Sequence, residues 1–119
     1  MREIKFRFWN GQNMIAHKNI ITAIKNIKNQ KKLEQFTELK DKNDNEIYEG
    51  DILKIELPVG GFWGNIKKNK IGVVIYESDY GGFIVKWEYS KHQHHENLTC
   101  DIAFKAEILG NINQNPELL

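Results

Sequence analysis

A single cysteine, Cys100, stands among the 119 residues, so no disulfide can form within the chain. No stretch approaches the roughly 20 consecutive apolar residues of a membrane-spanning helix. The opening MREIKFRFWN alternates charge with aromatics where a secretory leader would carry an apolar run. Nor is there an excess of one charge: 17 basic and 16 acidic side chains leave a formal charge of +1. Together these absences argue for a soluble cytoplasmic protein. They also remove the electrostatic case for nucleic acid, a membrane surface or an acidic substrate as the default partner. A glycine-rich phosphate loop, an HExxH pair and paired CxxC units are missing too, so neither a cofactor nor a complete catalytic set is expected.

What is present suits one small β-rich domain spanning residues 1–119. Forty per cent of the residues are hydrophobic and 11% aromatic, enough material for a core without staples. EIKFRFW (3–9) alternates, with Ile4, Phe6 and Phe8 on one side and Lys5, Arg7 and Trp9 on the other. Asn10-Gly11 favours a turn, and Met14 and Ile15 begin a return strand. Period two resumes from Lys32, with Leu33, Gln35, Thr37 and Leu39 opposite Glu34, Phe36 and Glu38. The polar run KDKNDN reads as a connection, EIY as a short strand, and ILKIEL as a strand ending at Pro58. PVGGFWGNIKKNK (58–70) reads as a loop. IGVVIYE and FIVKWEY read as a hairpin across Gly81-Gly82. LTCDIAF and AEILGNI read as further short strands, and NQNPELL as a tail.

One segment breaks the β pattern. Between Asn19 and Gln30, Ile20, Ile24 and Ile27 fall on one helical face, with Lys25 and Lys28 opposite and Asn19 placed to cap. So short a helix must dock on something. Small barrels fill their interior with strand side chains. Ile20, Ile24 and Ile27 are therefore expected to contribute to a contact between copies of the chain.

Candidates for chemistry are few. Glu49 and Asp51 flank Gly50 and could converge on a cation from one strand face. The plainer expectation is a corner: Gly50 supplies positive φ and Asp51 accepts hydrogen bonds from nearby backbone N–H groups. In SKHQHHEN, His92 and His94 would share a strand face with His95 adjacent, and Cys100 lies six residues past His94. The spacing fits no established zinc module and the neighbours read as solvated loop, so no metal is expected. Cys100 falls in the alternation Leu98, Cys100, Ile102, Phe104 and is expected as a small buried hydrophobe. Trp63, Tyr80, Phe83, Trp87 and Tyr89 could line an aromatic groove, but Phe83, Val85, Trp87 and Tyr89 alternate as a core-facing strand does. Phe62 and Trp63, beside Lys67, Lys68 and Lys70, form the one basic-aromatic cluster suited to stacking a base and touching phosphate.

REIKFRFWN, FTELKDKNDNEIYEGDIL, IGVVIYESDYGGFIVKW and the closing ILGNINQNPELL together resemble the YopX family of phage and prophage proteins. Members open with a stretch like REIKFRAWD, continue with YTGLKDKNGKEIYEGDIV, then GVV and GGF segments, and end in GNIYENPELL. The likeness covers roughly four-fifths of the chain. Phe36 and Glu38 stand where the family usually has Tyr and Gly, Phe8 for Ala and Asn10 for Asp. Asn45 is a further replacement, beside the usual Asn-Gly. The resemblance implies an SH3-like small β-barrel around EGDIL and GVV, with self-association, in the cytoplasm of a bacterial host. It carries over no catalytic residue. The expected role is that of a non-enzymatic accessory protein that binds protein, itself included. Single-stranded nucleic-acid binding through Trp63 and its lysines is the first alternative, and a histidine-dependent metalloenzyme the second.

Overall fold

Nine strands in two antiparallel sheets make up most of what the computed structural model describes, namely residues 4–9, 12, 14–17, 33–59, 66–87 and 95–119. The first sheet has the order β2-β1-β3-β4, from β1 (Phe6–Trp9), β2 (Met14–His17), β3 (Glu34–Lys40) and β4 (Glu46–Tyr48). The second has the order β8-β7-β6-β5-β9, from β5 (Asp51–Val59), β6 (Ile66–Glu77), β7 (Gly82–Trp87), β8 (His95–Asn97) and β9 (Ala106–Asn111). The protein is thus mainly β, as its alternating runs predict. Among the described residues both sheets are open, and no strand pairing closes a barrel.

Apolar runs in the middle of the chain explain the second sheet. Leu53, Ile55, Val74, Val85 and Trp87 pack on one face with Ile47, Leu98, Ala103 and Ala106, forming the main core. Ile52, Val73 and Ile84 lie on the opposite face by strand alternation and are buried as well. A sheet covered on both faces favours unbroken apolar runs, which is how GVVI and FIV read. The hairpin between β6 and β7 turns through Ser78–Tyr80, with Gly81 at φ 66°.

Four sequence expectations are corrected here. β5 runs through Pro58 instead of stopping at it; β9 pairs with β5 only from Asp51 to Ile55, so among the described residues Pro58 has a ladder partner on one side only. Residues 66–70 are the start of β6, not loop, so Lys67, Lys68 and Lys70 occupy strand positions opposite Pro58, Leu57 and Ile55. CDIAFK is a short helix, α1 (Cys100–Lys105), not a strand. The Thr99 hydroxyl caps it by accepting from the Ile102 N–H at 3.3 Å, with Asp101 in its first turn and Lys105 in its last, each suited to the helix dipole. In consequence Cys100 is exposed, not a core thiol.

The helix expected over Asn19 to Gln30, and with it Ile20, Ile24 and Ile27, lies outside the described residues. Among those described, no helix is long and apolar enough to cross a membrane.

Candidate functional site

The stretch EIYEGD is where the two sheets meet. Gly50 has φ 90°, a backbone state that glycine reaches without a steric penalty. Its N–H donates to the Val74 carbonyl of β6 at 2.7 Å, and its carbonyl accepts from Ile112 N–H at 2.9 Å. Just before it, Glu49 N–H donates to the Gln35 carbonyl of β3 at 2.9 Å. One corner therefore ties together β3, β6 and the segment after β9.

Asp51 does more than satisfy a backbone donor. Its Oδ2 accepts from Tyr48 N–H at 2.7 Å, while Oδ1 pairs with Arg7 Nη2 at 2.6 Å. Arg7 Nε donates to Glu34 Oε1 at 3.0 Å, its Nη2 reaches the Glu49 carbonyl at 3.4 Å, and its guanidinium lies 4.6 Å from the Tyr48 ring centroid. The Glu34 and Asp51 side chains are each only 3% exposed. A Cβ on Gly50 would overlap the Glu34 carboxylate, so the glycine is required by space as well as by φ.

Two buried carboxylates thus share one guanidinium. Burial pushes the Glu34 carboxyl above its usual range; Arg7 draws it down only in part, and the charges of Asp51 and Glu49 push it up again. Burial likewise raises Asp51, against the pull of Arg7 and the Tyr48 N–H. Both acids are sealed from solvent. The arrangement is a lock between β1, β3 and β5, in which each charge is tolerated because it is paired and hydrogen-bonded.

A second aspartate acts in the same manner. Asp41, at 4% exposure, opens the turn KDKNDN. Its Oδ1 accepts from Asn43 N–H and Asn45 N–H, both at 2.9 Å, and Oδ2 accepts from Ile108 N–H of β9 at 3.1 Å. Burial alone would raise its pKa, but the N–H groups of Asn45, Ile108 and Asn43 outweigh it and hold the carboxyl below its ordinary value. Lys42 N–H adds a 2.9 Å bond to the Ala106 carbonyl. The turn is thereby fastened to the edge of the second sheet.

The other sequence candidates are scattered. Phe62, Trp63, His92 and His94 lie outside the described residues. Lys67 and Lys68 hold places on β6, and Lys70 Nζ sits 5.7 Å from the Trp87 ring centroid. Trp87 is buried and Phe83 packs against the core, so neither lines an open groove. Tyr80 is exposed and stacks at 4.3 Å on His95. Among the described residues no three His, Cys, Asp or Glu side chains are grouped to hold a metal. Sequence reasoning missed Arg7, Glu34 and Asp41. The one available signal was a charged residue between two phenylalanines, Phe6-Arg7-Phe8.

The chain matches the family model described as "YopX protein" over residues 11–119. Among solved structures it is similar to the crystal structure of protein EF1440 from Enterococcus faecalis. That likeness has 25% identity and a TM-score of 0.50, and covers 98% of this chain and 74% of that one. No curated protein matches. The family match takes in the EGD corner, the Asp41 turn and the closing GNI segment, and on it the chain belongs to the YopX family.

Proposed function

We propose that this protein is a non-enzymatic phage or prophage accessory protein of the bacterial cytoplasm, acting by binding protein, itself included. The observation that supports this most is how the polar residues of KDKNDNEIYEGD are used. Asp41 is spent on three backbone N–H groups, and Asp51 on one backbone N–H and on Arg7, both deep inside the fold. Residues that in an enzyme would face a substrate here fasten one sheet to the other. The SH3-like reading belongs to the same proposal. The bonds from Gly50 N–H to Val74 and from Lys42 N–H to Ala106 bind the first sheet along the second, as the wall of a small barrel would.

Self-association is assigned to Ile20, Ile24 and Ile27. Light scattering on the purified full chain tests it. An assembled species at high micromolar concentration is expected, reduced to monomer by Ile24→Asp without loss of folding, because that change would bury an unpaired charge in the contact. A wild-type protein that stays monomeric, or an Ile24→Asp variant that assembles normally, would refute it.

A second reading, single-stranded nucleic-acid binding, is supported by Lys67, Lys68 and Lys70 lying close together on β6. It predicts affinity for oligothymidylate that falls steeply with salt and is lost with the Lys67→Gln/Lys68→Gln pair.

A further inference from the structure

Lys42, Lys54 and Lys105 come from three distant parts of the chain: the turn after β3, the middle of β5 and the last residue of α1. The fold gathers them around one shallow recess of about 160 Å³, whose remaining lining is Glu56 and Asn69. The backbone explains the gathering. Lys42 N–H is bonded to the Ala106 carbonyl, which sets the turn beside the end of α1. Ala106 pairs with Ile55 and Glu107 with Lys54, while Glu56 pairs with Asn69 across to β6.

The charge in this recess is unbalanced. Lys42 has a partner, Glu107, at 3.5 Å, with both side chains well exposed. Among the described residues Lys54 and Lys105 form no ion pair, although Lys54 is half-buried. Glu56 is the one carboxylate among the lining residues, and with Glu107 beside Lys42 it leaves the three lysines in excess by one charge. A near-neutral chain therefore carries a local basic site that its overall charge conceals.

We propose that this recess binds a phosphate group. Its oxygens would accept from the Lys42, Lys54 and Lys105 ammonium groups, and Asn69 would supply an amide donor. Three lysines brought to one recess from different elements suit a tetrahedral oxyanion better than a planar carboxylate, which offers two oxygens in one plane. The group can come from a free phosphate or nucleotide, or from the backbone of a single nucleic-acid strand. The inference holds whether or not the protein self-associates.

Amide chemical-shift titration of the full chain at low ionic strength tests it, first with inorganic phosphate and then with a ten-nucleotide oligothymidylate, against chloride at matched ionic strength. A saturable shift centred on Lys42, Lys54, Asn69 and Lys105 is expected with at least one probe. Saturation by phosphate with no tighter binding of the oligonucleotide assigns the free source; saturation at least a hundredfold tighter by the oligonucleotide assigns the strand. In either case Lys54→Gln/Lys105→Gln should weaken binding at least fivefold at unchanged melting temperature, and Glu56→Gln should tighten it. If the oligonucleotide binds, the double variant should also lower the slope of log affinity against log salt by about 1.4, which is about 0.7 for each lysine replaced. No saturable shift with either probe, or wild-type binding by the double variant, would overturn the proposal.

Discussion

Gly50 and Glu34 compete for the same space: the carboxylate of one fills the place where the other would carry a side chain. Gly50→Ala therefore meets two penalties, the strain of φ 90° and displacement of a buried acid paired with Arg7. Urea unfolding should show a loss of at least about 1 kcal/mol from backbone strain alone, and more from the displaced pair. Arg7 is the sharper case. Arg7→Met leaves Glu34 and Asp51 buried with no counter-charge, and breaking such a pair costs about 3–5 kcal/mol. An Arg7→Met protein within about 1 kcal/mol of wild type would show that the lock contributes little. At this scale the sequence was readable where the chemistry is local. A Gly-Asp corner announces itself through φ and short-range hydrogen bonds, whereas Arg7 meets Glu34 and Asp51 across 27 and 44 residues, beyond any periodicity.

Strand β3 shows what an element tolerates. Glu38 sits at φ 70° and Asp44 at φ 66°, and the register between β3 and β4 shifts between Phe36 and Lys40. Glu38 stands where the family usually has glycine, so a side chain is held here in a conformation that costs a non-glycine residue about 1 kcal/mol. Glu38→Gly should raise stability by up to that amount in urea unfolding; a clear loss would mean that its side-chain contacts outweigh the strain. The irregularity also explains why strict alternation fails in this strand: Glu34, Phe36 and Thr37 are all buried. The turn after β3 gives a second test. Asp41→Ala frees the N–H groups of Asn43, Asn45 and Ile108, of which only the first two belong to exposed residues that water can readily serve. A loss of about 1–3 kcal/mol is expected, together with faster hydrogen exchange at Ile108. Unchanged exchange there would rule out the tie to β9. The helix α1 is hidden in the sequence for a simple reason. Six residues with apolar groups at alternate positions fit either period, and Thr99 before Asp101 was the cue for a cap.

For the whole molecule, the mainly β character follows from the alternating runs, but how the two sheets are joined does not. That joining rests on Asp41, Asp51, Arg7 and Glu34, which look like surface residues in a linear reading. Their titration is the signature of the arrangement. Glu34 and Asp51 have folded pKa values raised above their ordinary values. Their contribution is complete below the ordinary carboxylate range near about 4, and is lost as pH rises through the raised values. Asp41, held below its ordinary value, contributes in the opposite sense: its share is present above that range and is lost as pH falls through the lowered value. The measurement that bears most directly on the account is urea unfolding of wild type and Glu34→Gln from pH 4 to pH 7. Glutamine keeps an acceptor for Arg7 but cannot ionise. The account predicts that the variant gains on wild type as pH rises, because it sheds the part of the slope that Glu34 supplies. Two parallel curves, or a variant that loses ground toward neutral pH, would contradict a Glu34 carboxyl that burial holds above its ordinary value despite Arg7.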